Sequence, residues 1–287
     1  MGTTKALGIF GWPISHTLSP AMHNFSIREC GLDYTYIPFA VSPENLAKGV
    51  EAIRTLGFRG INVTIPHKEK IIPYLDELDC GAELIGAVNT VVCEGDTLVG
   101  YNTDGAGFIE SLKETTDTSP RGKRVVIFGA GGAAKGIAVA LLSEGIEELI
   151  VVNRSGARGK ALASNLKTNF GVEVAVDSIP LAELSGALIN SADILINATS
   201  VGMKNGDSDL FDYDIISEKH IVCDIVYRPL NTTLLEKASQ SGAKTVNGLG
   251  MLIHQGALSF RLWTGAGMPV DKVRRFLEET LREEQDG

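Results

Sequence analysis

Short apolar runs rich in β-branched residues alternate along the chain with stretches in which apolar residues recur every three or four positions. The runs are KALGIFG (5–11), YTYIPFAV (34–41), GINVTI (60–65), AVNTVV (87–92), RVVIFG (124–129), ELIVVN (148–153), DILINA (193–198) and HIVCDIV (220–226). Strands spaced by amphipathic helices predict parallel pairing through crossover helices, an α/β fold. Between the second and third runs, SPENLAKGVEAIRTL places Leu46, Val50 and Ile53 at helical spacing, with Ser42 as N-cap and Pro43 in the first turn. That face is expected to cover the sheet.

The rhythm breaks twice. The polar stretch ETTDTSPRGKR, Glu114 to Arg124, carries Pro and Gly and reads as a surface loop near a domain boundary. After Gly248 the strand signals stop, and MLIHQGALSFRLW and VDKVRRFLEETLREE read as helices that return to the first domain. The expected division is residues 1–105 with 249–287 as a substrate-binding, catalytic domain with a mostly parallel sheet, and residues 106–248 as a second, nucleotide-binding domain.

Composition narrows the function classes. With 287 residues, 44% of them hydrophobic, the chain is long enough for two domains. A formal charge of -9 disfavours nonspecific attraction to nucleic acid or an anionic membrane, without excluding a local basic pocket. Cys30, Cys80, Cys93 and Cys223 form no C-x-x-C pair, so neither a metal site nor a disulfide framework is indicated and all four are expected to be reduced core thiols. The N-terminus lacks the apolar core of a signal peptide, and no apolar run approaches the roughly 18 residues needed to span a bilayer. A cytoplasmic protein is expected, as a monomer or a homodimer.

The segment RVVIFGAGGAAKGIAVALL is a strand, a glycine-rich turn and a helix, with Gly129, Gly131 and Ala134 in a G-x-G-x-x-A arrangement. Gly129 serves the tight turn, and a side chain at Gly131 would block a pyrophosphate from the helix N-terminus, as in a Rossmann dinucleotide site. The bland alternative is a glycine-rich turn with no ligand. Roughly twenty residues on, where an NAD site places a carboxylate on the ribose, this chain has Arg154, Ser155 and Arg158. Charge-assisted bonds to a 2′-phosphate at about 1.5–3 kcal/mol each favour NADP over NAD by roughly tenfold to a thousandfold or more. Two solvated loop arginines are the alternative.

An enzyme that moves hydride at an alcohol or ketone, with no metal in view, needs a side chain for the proton. Lys68 follows a strand and Pro66, so it is expected at the start of a helix, where the dipole disfavours the ammonium form. Asp104, in GYNTDGAGF, follows another strand-like segment and would orient that amine. The bland readings are a solvated lysine and an Asn-Thr-Asp-Gly structural turn.

Eight motifs in order, GWPISHTLSPAMHN, GINVTIPHKE, GAVNT, GYNTDGAGF, GAGGAAKG, NRS, NATSVGM and NGLGMLIHQ, span almost the whole chain and closely resemble the shikimate dehydrogenase family. The resemblance implies reversible, NADP-dependent reduction of 3-dehydroshikimate to shikimate in aromatic amino acid biosynthesis, in a cleft between a substrate domain and a Rossmann domain. It implies Lys68 and Asp104 as the catalytic pair at the C3 oxygen. It places the substrate carboxylate on Thr17 and Ser19, and the ring oxygens on Thr64, Asn89, Asp104 and Gln255, with Tyr227 as a further substrate contact. On the cofactor side it implies Gly129, Ala130, Gly131, Gly132 and Ala133 for the phosphates and Asn153, Arg154, Ser155 and Arg158 for the ribose end. Asn197, Ala198, Thr199, Ile225 and Gly248 fall toward the nicotinamide half.

Asn62 is expected to bond backbone near a strand end, and His16, His23 and His67 are assigned no chemistry. One departure stands out: Thr17 occupies a position where the family usually has serine. Its extra methyl and stiffer χ1 bear on the carboxylate end of the pocket, where quinate differs from shikimate. A quinate/shikimate or aminoshikimate dehydrogenase paralogue is therefore the alternative enzyme, and a non-catalytic NADP-binding regulator the alternative from another class.

Overall fold

In the computed structural model, residues 3–171, 175–204 and 206–286 are described, and their strands gather into two six-stranded sheets. Each sheet belongs to one of two units, residues 1–104 with 253–287 and residues 105–252.

The first unit opens with β1 (Lys5–Gly11), α1 (Ser19–Glu29), β2 (Tyr34–Ala40), α2 (Leu46–Thr55) and β3 (Gly60–Val63), then β4 (Glu77–Leu78), α3 (Cys80–Ile85), β5 (Thr90–Glu94) and β6 (Thr97–Tyr101). The sheet order is β2-β1-β3-β5-β6-β4. β1 runs parallel to β2 and β3, but β5 is antiparallel to both β3 and β6. β5 turns back into β6 through the two residues between them, where Gly95 has φ of 63°. A loop that short closes only an antiparallel pair.

Leu46, Val50 and Ile53 are all buried, as their spacing predicts, against Phe10, Ile61, Val63, Val91 and Leu98. A single 3₁₀ turn, Pro43–Asn45, precedes α2. Ser42 stands at the cap position without bonding a backbone amide; its Oγ accepts instead from Asn45 Nδ2 at 3.0 Å.

The second unit continues with α4 (Asp104–Thr116), β7 (Arg124–Phe128), α5 (Gly132–Ser143), β8 (Glu148–Asn153), α6 (Gly156–Phe170) and β9 (Ala175–Pro180). It is completed by α7 (Gly186–Ser191), β10 (Ile194–Asn197), β11 (Ile221–Asp224), α8 (Thr233–Gln240) and β12 (Lys244–Val246). Its sheet is wholly parallel in the order β12-β11-β10-β7-β8-β9, a doubly wound arrangement whose direction of winding switches beside β7. The polar stretch from Glu114 begins inside the last turn of α4, and the units divide upstream of it, after Asp104.

Two long helices close the chain, α9 (Gly248–Thr264) and α10 (Val270–Asp286), and residues from Ile253 onward belong to the first unit. Phe276 of α10 stacks on Phe25 of α1 at 4.5 Å. Trp263 of α9 donates to the Val91 carbonyl at 2.9 Å, and a Cβ on Gly60 would lie 2.2 Å from its Nε1. Only glycine at 60 lets the indole lie on the sheet.

Of the four thiols, Cys93 and Cys223 are buried, Cys30 is half-buried and Cys80 is exposed. Cys80 is the first residue of α3, just after the capping Asp79, and so faces water rather than the core. No described helix is long and apolar enough to cross a membrane.

Candidate active site

Lys68 Nζ lies 2.5 Å from Asp104 Oδ2. The two side chains are 15% and 4% exposed. Lys68 does not begin a helix: residues 64–71 form successive turns. Thr64 N–H is held by the Phe10 carbonyl at 2.9 Å, and the Lys68 carbonyl accepts from Val88 N–H at 2.8 Å rather than from an amide one turn on. It is Asp104, not Lys68, that opens a helix, the 13-residue α4.

Asn89 joins this pair to the rest of the unit. Its Nδ2 donates to Asp104 Oδ1 at 2.9 Å and to Gln255 Oε1 at 3.2 Å, while its Oδ1 accepts from Thr103 N–H at 2.8 Å and from the Thr90 hydroxyl at 3.0 Å. Behind it, Asn62 Nδ2 donates to the Asn89 carbonyl at 3.1 Å, and Asn62 Oδ1 accepts from Tyr36 at 2.7 Å. Asn62 thus does far more than bond backbone at a strand end. Ser259 Oγ packs 2.7 Å from Thr90 Oγ1. At the start of α1, Thr17 Oγ1 donates to Ser19 Oγ at 3.2 Å, leaving two adjacent hydroxyls at a helix N-terminus.

Thr17, Ser19, Thr64, Lys68, Asn89, Asp104 and Gln255 all belong to the first unit, whereas Tyr227 belongs to the second, in the segment after β11. His67 is fully buried with Nε2 2.7 Å from the Val41 carbonyl, and His23 is fully buried, so both are packing residues. Tyr36, Thr90, Thr103 and Ser259 were not singled out from sequence. Thr90 and Thr103 sit inside GAVNT and GYNTDG, and Ser259 lies one helical turn beyond Gln255, which is the only signal they carry.

In the second unit, Gly129 to Ala133 follow β7, Asn153 ends β8 and Arg154 to Arg158 follow it, Asn197 to Thr199 end β10 and Ile225 follows β11, all at the carboxyl edge of the parallel sheet. Gly129 has φ of 116°, and a Cβ there would lie 2.7 Å from the Ala198 carbonyl. A Cβ on Gly131 would meet nothing within 4 Å, so open space stands over the N-terminus of α5, as a pyrophosphate requires. Arg154, Ser155 and Arg158 are exposed, and Ser155 caps α6 by accepting from Arg158 N–H. These residues fit a nicotinamide dinucleotide bearing a 2′-phosphate.

Asn197 is buried and its side chain is spent within the fold. It donates to the Val201 carbonyl and to Asp224 Oδ1, both at 2.9 Å, and accepts from Thr199 Oγ1 at 2.7 Å. Asp224 also accepts from Val226 N–H at 2.9 Å and Thr232 at 2.8 Å; burial pushes its carboxyl up in pKa while these donors pull the other way. This pair shapes the turns after β10 and β11. Gly248 is demanded by packing, since a Cβ would lie 2.2 Å from the Ile225 carbonyl. Among the described residues, no group of three or more His, Cys, Asp or Glu is placed to hold a metal ion.

Known proteins resemble the chain throughout its length. The sequence profile of the shikimate dehydrogenase substrate binding domain matches residues 9–91, that of shikimate / quinate 5-dehydrogenase residues 111–204, and that of the shikimate 5′-dehydrogenase C-terminal domain residues 248–277. A shikimate dehydrogenase (NADP⁺) of Methanopyrus kandleri is 46% identical over 97% of both chains. A crystal structure of a shikimate dehydrogenase in complex with NADP⁺ superposes with a TM-score of 0.90 at 39% identity, covering 98% of this chain and 97% of the other. That of shikimate 5-dehydrogenase from Thermus thermophilus with NADP(H) and shikimate gives 0.85 at 36% identity, covering 96% and 99%. With Lys68 and Asp104 paired in one sheet unit, a phosphate-ready glycine turn in the other, and this likeness over nearly every residue, the chain belongs to the shikimate dehydrogenase family.

Proposed function

We propose that the protein is an NADP-dependent shikimate dehydrogenase, reversibly reducing 3-dehydroshikimate to shikimate in aromatic amino acid biosynthesis. The observation that carries the reading is the Lys68–Asp104 pair at 2.5 Å, set among the amides of Asn89 and Gln255. NADP, when bound, supplies or accepts the hydride at C3. The pair handles the proton: toward shikimate, the ammonium of Lys68 gives a proton to the C3 oxygen and is restored through solvent, while the Asp104 carboxylate holds it in place.

Substrate binding and catalysis are assigned to residues 1–104 with 253–287, and the cofactor to residues 105–252. Thr17 and Ser19 take the carboxylate, helped by the N-terminus of α1, and Thr64, Asn89, Asp104 and Gln255 take the ring oxygens, with Tyr227 as a further contact. A small polyol acid presents many hydroxyls, and each unpaired partner is costly. At the cofactor, Gly129 to Ala133 make way for the phosphates, Asn153, Arg154, Ser155 and Arg158 face the ribose phosphate, and Ala198, Thr199, Ile225 and Gly248 form the turns at the nicotinamide half, shaped by Asn197. A biosynthetic role of this kind belongs to the cytoplasm, served by a monomer or homodimer.

The test is absorbance-monitored oxidation of shikimate and of quinate, each with NADP and with NAD. Turnover with shikimate and NADP is expected. Preference for quinate would assign Thr17 to a paralogue's pocket, and the absence of turnover in every combination would leave a cofactor-binding regulator.

A further inference from the structure

Thr90 lies on β5 beside Val91 and Val92 and is fully buried. For packing alone a third valine would fit the strand, and a buried hydroxyl is costly unless it is bonded. Its hydroxyl is bonded on three sides. It donates to Asn89 Oδ1 at 3.0 Å, takes Asn62 Nδ2 at 3.2 Å and meets Ser259 Oγ at 2.7 Å. Each of the two amides can be turned over, and their orientation is set by these neighbours.

For Asn89 the orientation matters to the chemistry. With its oxygen on Thr90 and on Thr103 N–H, its NH₂ group faces Asp104 Oδ1. Turned over, it would set a carbonyl oxygen against a carboxylate oxygen at 2.9 Å and free Asp104 to leave Lys68. Asn62 is keyed in the same way, with Tyr36 on its oxygen and Thr90 on its nitrogen.

We propose that Thr90 is a positioning residue for the reaction: its hydroxyl, backed by Ser259, fixes the Asn89 amide and through it the carboxylate of Asp104 opposite Lys68. The inference rests on the function proposed above. Steady-state kinetics on the full chain test it. Thr90→Val is expected to lower kcat about tenfold or more while the KM for NADP stays within about twofold, and Thr90→Ser to keep kcat within about threefold of wild type. Unchanged kcat in Thr90→Val, or equal losses in Thr90→Val and Thr90→Ser, would overturn the proposal, the latter by assigning the effect to the methyl group. Should Thr90→Val not fold, Ser259→Ala decides: a fall of about threefold in kcat supports the proposal and an unchanged kcat overturns it. An inactive wild type would overturn the function itself, and this role with it.

Discussion

His23 lies flat against Tyr36, with ring centroids 4.4 Å apart and planes 17° apart, and both side chains are almost wholly buried. Among the described residues neither ring nitrogen finds a partner in hydrogen-bonding geometry. Burial depresses the His23 pKa to about 3, and the neighbouring Asn62 amide offsets only part of that. Because the folded value is below the unfolded 6.5, the unfolded chain binds the extra proton first, and stability falls as pH drops from about 6.5 toward 3. The slope is about 1.4 kcal/mol per pH unit from this group. Between pH 7 and pH 5, wild type should lose about 2 kcal/mol more than His23→Phe in urea unfolding. Parallel losses in the two proteins would show that His23 is not the acid-sensitive group.

Asp104→Asn keeps the shape of the pair and removes its charge. It is expected to lower kcat roughly 100- to 10,000-fold while calorimetry still detects shikimate binding. Retention of kcat would remove Asp104 from proton handling.

Replacing Arg154 and Arg158 together with alanine removes both cations from the turn after β8. The KM for NADP should rise roughly tenfold to a thousandfold, with NAD turnover little changed. Equal effects on both cofactors would mean that the arginines do not read the 2′-phosphate.

Gly129 and Gly131 separate backbone demand from ligand demand. Gly129→Ala meets a positive φ and the Ala198 carbonyl, so it should cost on the order of 1–3 kcal/mol in stability as well as cofactor binding. Gly131→Ala meets open space, so its melting temperature should hold while NADP affinity falls. Cofactor binding intact in Gly131→Ala would place the pyrophosphate elsewhere.

The order of strands and helices was readable because buried β-branched runs and helical periodicity are local signals. β9 (AVDSIP) and β12 (KTV) escaped because they are edge strands, the first largely polar and the second only three residues long. The glycine turn after β7 was legible because Gly129, Gly131 and Gly132 lie close together directly after a strand. Lys68 was legible as a residue but not in its setting, because the bond that stops a helix there comes from Val88. Thr90 and Ser259 are separated by 169 positions, and nothing local announces that they touch.

The indole of Trp263 completes a layer whose sheet was laid down before residue 104, yet it arrives only after residues 105–252 have been made. At roughly 5 to 20 residues per second, ribosomal synthesis of that interval takes on the order of 10 s. During that time Gly60 and Val91 have no covering aromatic. The second unit, continuous in sequence, needs no such wait and can fold first.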